Sequence, residues 1–279
     1  MRCSARRRSS TSCSRSARTT SPAGSSKPCP STSRRSSPPR RHIRSEGGTA
    51  MSTPTLKDEI IEKHGQNALD LVLTVYLNFY YSELEIIDLC ARWIPRREDL
   101  REKSYLLHHA SDEVVHARLF KEGVERLGLV WDEFDHDKYR IDDIDQRFRR
   151  LFESDDEIEV LIGLNLYAEG VLAMEELHQL GRNKPEYFPE FARIEREERR
   201  HMGFGLTVAK RLLDEDEDTR RRGIEYCKWY SEHLENYLGG ELSQTISWAI
   251  GQGFVEADYI PRTRARFDET MSKLGLVEV

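Results

Sequence analysis

Two short stretches of the chain place a glutamate and a histidine three residues apart. They are Glu113-x-x-His116 and Glu198-x-x-His201. Residues three apart lie on the same face of an α-helix, so each carboxylate and imidazole could bind one metal ion together. A single pair of this kind is common by chance on a charged helix. The two pairs therefore need support from the elements that would position them.

Both pairs lie on the apolar stripe of a predicted helix rather than on a solvated face. Residues 196–201 are all charged or titratable, yet apolar residues at spacings of three and four continue their inward face on both sides. Two further carboxylates, Glu83 and Glu169, lie on equivalent stripes, 30 and 29 residues before the glutamates of the two pairs. The pattern predicts that four long helices each direct one carboxylate into a shared interior.

The rest of residues 51–279 is also helical in pattern, with Gly and Pro at the predicted helix ends. The predicted helices span about 56–92, 98–127, 155–180, 185–213, 218–238, 242–254 and 261–274. The first four are long and each has an apolar stripe, which is typical of a helical bundle. We predict an all-α fold, a four-helix bundle with additional C-terminal helices.

Four buried carboxylates would destabilise such a bundle unless their charge is compensated. A bound polycation is the simplest compensation. A Glu from each of two helices, with Glu-x-x-His from each of the other two, is the ligand set of ferritin-like dimetal carboxylate bundles. We therefore predict a ferritin-like domain over residues 51–279. Its predicted metal ligands are Glu83, Glu113, His116, Glu169, Glu198 and His201.

Neighbouring residues leave some alternatives open. Glu85 could replace Glu83, but it lies about 200° away around the helix and off the apolar stripe, so we favour Glu83. Asp112 and Glu197 are either solvated charges or acceptors for the second ring N–H of the ligand histidines. His109 is in phase with the stripe, a turn from the site, and we predict a packed core histidine there.

Four glycines on the third and fourth long helices have two possible roles. They either allow close helix packing or leave room for dioxygen or substrate beside the metals. These glycines are Gly163, Gly170, Gly203 and Gly205.

Residues 1–50 differ from the rest of the chain in composition. They contain 14 Ser, 11 Arg and five Pro, and Glu46 is the only acidic residue, so we expect disorder. This composition is typical of an organelle transit peptide. A second interpretation is a mis-annotated extension upstream of a true start at Met51, because residues 46–48 have the purine-rich codons of a translated ribosome-binding site. We favour the second interpretation.

Charge and cysteine content exclude several classes of function. Residues 1–50 carry a net charge of +11 and the whole chain −6, so residues 51–279 carry −17, which argues against nucleic acid as a partner. Cys90 and Cys227 alone cannot form a zinc or iron–sulfur site. No apolar run is long enough to span a membrane. We expect a cytoplasmic protein with no membrane association.

Two motifs resemble those of a known family. DEVVH (112–116) and EERRH (197–201) resemble the Asp/Glu-Glu-x-Arg-His signature of bacterial diiron monooxygenases; the second has the signature arginine, Arg200, while the first has Val115 there. The chain also resembles the oxygenase subunit of phenylacetyl-CoA epoxidase and its relatives at the level of motifs, over roughly residues 76–210. The matching stretches are 81–83, 100–120, 167–174 and 195–201.

The resemblance implies that the six predicted ligands bind two iron ions. Carboxylate and imidazole ligands also suit manganese, so the expected cofactor is two iron ions with manganese as an alternative in one or both sites. The third-helix ligand is an aspartate in that subunit, whereas this chain has Glu169, so we do not assign phenylacetyl-CoA as the substrate. The expected activity is a non-haem diiron monooxygenase that inserts oxygen from O₂ into a small organic acid, acyl thioester or amine. No flavin or nicotinamide motif is evident, so electrons would come from a separate reductase or ferredoxin.

Other functions use the same ligands and fold. One is a rubrerythrin- or ferritin-like peroxidase or ferroxidase, although rubrerythrins usually have a Cys-x-x-Cys module that this chain lacks. Another is a structural subunit of a diiron oxygenase complex, which usually lacks some of the ligands. A homodimer or a hetero-oligomer with a related subunit is possible.

Overall fold

The structure is a computed structural model that describes residues 54–240 and 242–277. Our predictions for residues 1–50 and for a start at Met51 concern residues outside these ranges. Within them all regular structure is helical and there is no strand, which confirms the predicted all-α fold. None of the helices in this part of the chain is long and apolar enough to cross a membrane.

The helices follow each other with short connections. In chain order they are α1 (Leu56–His64), α2 (Gln66–Trp93), α3 (Leu100–Arg126), α4 (Asp142–Glu153), α5 (Glu157–Val160), a π-helical segment (Leu161–Ala173), α6 (Met174–Asn183), α7 (Phe191–Glu215), α8 (Glu217–Gly239), α9 (Leu242–Gly251) and α10 (Tyr259–Ser272). Short 3₁₀ turns span Ile94–Arg96, Trp131–Glu133 and Asp137–Tyr139. Helix α5, the π-helical segment and α6 form one continuous helical stretch, so the bundle has the four long helical stretches that the pattern predicts.

Several predicted helix boundaries differ from the structure, the last two helices by two or three residues at one or both ends and three others as follows. The first predicted helix is divided at Gly65, which is the C-cap of α1. Its φ of 83° is unfavourable for residues other than glycine. The fourth starts at Phe191 instead of Pro185, because the backbone N–H groups of Tyr187 and Phe188 form turn bonds to Lys184. The third continues through Gly181 as far as Asn183, and glycine there lets α6 approach Phe191 of α7 closely.

The bundle is assembled from two helix pairs. Helix α2 packs along α3, and α7 packs along the π-helical segment and α6. One end of the interior is filled by aromatic rings, with Tyr76, Phe120 and Phe191 at centroid distances of 5.9 to 6.4 Å. Such packing fixes the rotation of each helix about its axis. The rotation decides which side chains of the four stretches meet in the middle.

The C-terminal helices close the outside of the π-helical segment. Helices α8 and α10 both pack on it. The carboxylate of Glu175, which is buried, accepts hydrogen bonds from Arg262 at 2.8 Å, from Arg266 at 2.9 Å and from Gln179 at 2.7 Å. Two arginines of α10 thus hold that helix against α6.

Candidate metal centre

Seven acidic and histidine side chains meet in the interior of the bundle. Helix α2 contributes one, α3 three, the π-helical segment one and α7 two. They are Glu83, His109, Glu113, His116, Glu169, Glu198 and His201, and each is at most 4% exposed. They form two overlapping groups in which one ligand atom per residue lies within 4.8 Å of the others.

The first group consists of Glu83, Glu113, His116 and Glu198. Nδ1 of His116 lies 2.6 Å from Glu113 Oε2 and 3.2 Å from Glu198 Oε1. Glu83 reaches this group from α2, where it follows the buried stripe of that helix. Three carboxylates and one imidazole therefore converge on one point.

The second group consists of His109, Glu113, Glu169 and His201. Nε2 of His109 lies 2.8 Å from Glu169 Oε1, and Nδ1 of His201 lies 3.0 Å from Glu113 Oε1. Glu113 belongs to both groups, so its carboxylate lies between them. Two carboxylates and two imidazoles therefore surround a second point beside the first.

All six predicted ligands lie in this cluster, and their role as ligands remains a prediction. Glu85 is half-buried and faces the charges of Asp88, Asp145 and Arg140 instead. The alternative in which Glu85 replaces Glu83 is therefore not favoured by the geometry.

His109 lies in the cluster, although we predicted a core histidine outside it. Its ring stacks on that of His201 with centroids 3.8 Å apart. The relevant signal in the sequence is its position four residues before Glu113, on the same helix face. Periodicity alone did not show that Glu169, on another helix, reaches Nε2 of this ring.

Asp112 and Glu197 both lie within hydrogen-bond distance of two of the predicted ligand histidines. Nε2 of His116 lies 2.9 Å from Glu197 Oε2, and Nε2 of His201 lies 3.3 Å from Asp112 Oδ2. Each bond crosses between α3 and α7, and each directs Nδ1 of the ring towards the buried carboxylates. Such partners orient metal-ligating imidazoles and raise their basicity.

The cluster concentrates negative charge in the buried interior of the bundle. In the described residues no Lys or Arg pairs with the four buried glutamates. Burial, and then the charge of Glu113, raise the pKa of Glu83 well above its usual value. Burial opposes charging of His116, but hydrogen bonds to Glu113 and Glu198 outweigh it and raise its pKa to about 12. Protons on these groups offset the negative charge when no cation is bound.

The donor set suits two divalent ions. Four carboxylates and three neutral imidazoles carry a charge of −4, which two such ions neutralise. Glu113 Oε1 lies 3.0 Å from nitrogen atoms of both His109 and His201, yet it is buried and has no well-formed hydrogen bond. Carboxylate oxygens and imidazole nitrogens that converge without forming good hydrogen bonds to each other are typical of a metal site. Carboxylate and imidazole ligands are those that iron and manganese bind.

The bundle and this cluster together define a ferritin-like fold with a candidate dimetal centre. Solved structures with the same fold include an R2-like ligand-binding oxidase with an aerobically reconstituted Mn/Fe cofactor. It is 19% identical, covers 81% of this chain and 82% of its own, and has a TM-score of 0.59. A point mutant of an R2-like ligand-binding oxidase, with the same kind of cofactor, is 18% identical over 81% and 86% of the chains, with a TM-score of 0.61.

The structural similarity to these oxidases shows a shared fold. No protein-family model matches the sequence, and no curated protein matches it significantly.

Proposed function

We propose that this chain is a dimetal oxidase that uses dioxygen to oxidise a small organic molecule. The observation that carries the proposal is the pair of overlapping ligand groups, which share Glu113 and contain four carboxylates and three imidazoles. Redox-active ions held there would supply the electrons that reduce dioxygen. The Mn/Fe cofactors of the R2-like structures support the same assignment.

The two groups differ in composition, and we propose that they hold unlike ions. The first has three carboxylates and one imidazole, and the second has two of each. Oxygen donors suit manganese, while imidazole donors increase the preference for iron. We assign manganese to the group of His116 and iron to the group of His109 and His201.

A cavity beside the centre supports an organic substrate. Its volume is about 120 Å³, and Glu83, Glu169 and Glu198 form part of its wall. Most of the other lining side chains are apolar, such as Phe79 and Leu172. An engineered cavity of about 150 Å³ holds benzene, so this space suits one ring or a short chain. Apolar walls would also keep water away from the reacting atoms.

We further propose that the reaction is a monooxygenation of a small organic acid, acyl thioester or amine. One oxygen atom of O₂ enters the substrate, and the other is reduced to water with two electrons and two protons. The electrons come from a separate reductase or ferredoxin. The motif similarity to the oxygenase subunit of phenylacetyl-CoA epoxidase supports this reaction class. A ferroxidase or peroxidase needs no apolar cavity, and a silent structural subunit needs no complete ligand set.

The test is to load the metal-free protein without oxygen with Fe²⁺, Mn²⁺ or both and to count the bound ions. We expect about two ions per chain and rapid oxygen uptake on mixing with air. The variant with Glu113→Ala and His116→Ala should lose both the bound ions and the oxygen uptake. The control variant Glu85→Ala should bind as many metal ions as the parent protein. Metal binding that survives the double variant would contradict the site.

Supplying ¹⁸O₂ and a reductant with candidate acids, thioesters and amines then separates the functions. Label in an organic product supports monooxygenation. Oxygen uptake that consumes only added Fe²⁺, with no labelled product from any substrate class, supports a ferroxidase instead.

A further inference from the structure

One buried cation in the described residues has no polar partner there. Arg147 of α4 is only 5% exposed. No hydrogen bond or ion pair joins it to another described residue, and its Nε and Nη1 atoms are buried without an acceptor. The other buried charged side chains of the described residues either form a hydrogen bond or ion pair or belong to the two ligand groups.

The surroundings of Arg147 compensate its charge only weakly. The guanidinium lies 5.7 Å from the ring centroid of Phe148 and 5.8 Å from that of Tyr167. Ring faces attract a cation but cannot accept the directed hydrogen bonds of Nε and Nη1. A buried guanidinium left in this state destabilises the fold, because its lost hydration is not replaced. An anion bound beside it would restore both the charge balance and the hydrogen bonds.

Arg147 lines the same cavity as three of the predicted metal ligands. Glu176 also lines it, and follows Glu169 by seven residues along the same helical stretch. Seven residues correspond to roughly 10 Å along a helix, which sets the approximate distance from the metal centre to this part of the wall. Most of the side chains that line the cavity are apolar. A molecule with an anionic end at Arg147 would therefore direct an apolar body towards the metals.

Glu176 does not neutralise Arg147. It is half-buried and makes no ion pair with Arg147, although it lies within range of its charge. Burial raises the pKa of Glu176 to about 7, and the charge of Arg147 acts in the opposite direction. Near neutral pH much of this carboxyl is therefore protonated, and it can donate a hydrogen bond to a neighbouring anion.

We propose that Arg147 binds the carboxylate of a small organic acid whose apolar body points towards the metal centre. A guanidinium and a carboxylate match in shape and form two parallel hydrogen bonds. Of the three substrate classes above, the acid is favoured, since the guanidinium would repel a protonated amine and a thioester group has no negative charge to pair with it. The orientation towards the metals rests on the proposed function. Anion binding at Arg147 does not.

The test uses benzoate and its neutral isostere benzamide, titrated calorimetrically into the metal-free full chain. We expect benzoate to bind at least tenfold more tightly than benzamide. Arg147→Gln should remove that preference. Arg149→Gln, an equal charge change at an exposed site two residues along α4, should leave it unchanged. Equal binding of the two probes, or a benzoate preference that survives Arg147→Gln, would overturn the proposal.

A second variant separates a binding role from a structural one. Arg147→Met has a similar length without the charge, and replacing an unpaired buried charge by an apolar side chain is commonly stabilising. We expect Tm to rise or stay the same while benzoate binding is lost. A lowered Tm with benzoate binding retained would show a structural arginine and reject the proposal.

The metal-free titration also keeps this inference apart from the proposed function. If benzoate binding depends on Arg147 but no metal binds to the chain, the anion site stands and the dimetal assignment fails. If metals bind but benzoate binding does not depend on Arg147, the dimetal assignment stands and the anion site fails.

Discussion

His109 gives one half of the centre an imidazole that the other half lacks. Its Nε2 lies 3.0 Å from Glu113 Oε1 and 2.8 Å from Glu169 Oε1, so it faces the second ligand group only. Each of the two Glu-x-x-His motifs supplies one imidazole, and the two motifs alone describe a nearly symmetric site. The third histidine makes the two metal positions chemically different.

We expect His109→Gln to weaken the binding of one metal ion and to leave the binding of the other unchanged. Affinity at the second group should fall at least tenfold, since losing even an indirect partner of a ligand costs about 10–100-fold. In a Co²⁺ titration followed by visible absorbance, the parent should bind two ions tightly, whereas the variant should bind one tightly and one weakly. His108→Gln is the matched control, because His108 is exposed and binds Ser104 of its own helix. Identical titrations of the two variants would show that His109 is not a ligand.

At the scale of the helices, close contact between α7 and the π-helical segment positions Glu169, one of the predicted ligands. Asn165 donates to Glu169 Oε2 at 3.0 Å and so orients that carboxylate. A Cβ at Gly205 would lie only 2.4 Å from Cβ of Asn165. Of the two roles that the sequence left open for this glycine, the structure supports close packing. A Cβ at Gly203 would have no atom within 4 Å, so this glycine has no packing role.

Gly205→Ala should therefore disturb both stability and metal binding. Overpacking costs typically about 1–3 kcal/mol, and movement of Asn165 would release Glu169 from its orientation. Gly203→Ala, on the same helix, should be neutral or stabilise by about 0.5–1 kcal/mol, because alanine favours helix more than glycine does. Urea unfolding and metal titration of both variants give the comparison. Equal stability and equal metal affinity would contradict the packing argument.

At the scale of the whole molecule, folding, protonation and metal binding are coupled through the centre. In metal-free protein the pKa of His116 is raised to about 12, and that of His201 to about 10 despite burial and the nearby His109. The ordinary value for histidine is about 6.5. These raised values stabilise the metal-free fold fully below pH 6.5, and this stabilisation is lost as the pH rises through about 10 for His201 and about 12 for His116. Metal ions must displace the same protons, so their affinity increases with pH.

The gain in Tm on adding Mn²⁺ should accordingly be larger at pH 8 than at pH 6. One displaced proton gives a tenfold gain in metal affinity per pH unit. The stabilisation free energy from saturating metal is then about 2.7 kcal/mol larger at pH 8 than at pH 6. Scanning calorimetry at one Mn²⁺ concentration, with and without chelator, measures it. The variant with Glu113→Ala and His116→Ala should show no gain at either pH. A gain that is equal or smaller at pH 8 would contradict the coupling.

The sequence alone predicted the all-α bundle and the side chains that enter its interior. Spacings of three and four place Glu83, Glu113 and Glu198 on buried stripes, and the helix period determines this without knowledge of any neighbour. Helix ends were less accurate. The break at Gly65 and the start of α7 at Phe191 depend on local turn bonds that apolar periodicity does not report.

Contacts between helices were decided only by the tertiary structure. Periodicity gives the inward face of each helix, but not its rotation or its offset along the bundle relative to another helix. Those depend on packing, as where Gly205 admits Asn165. The offset brings His109 to Glu169 and joins His116 to Glu197 across two helices. It also leaves Arg147 facing a cavity without a hydrogen-bond or ion-pair partner among the described residues, because nothing in the order of residues along α4 determines what lies opposite that helix.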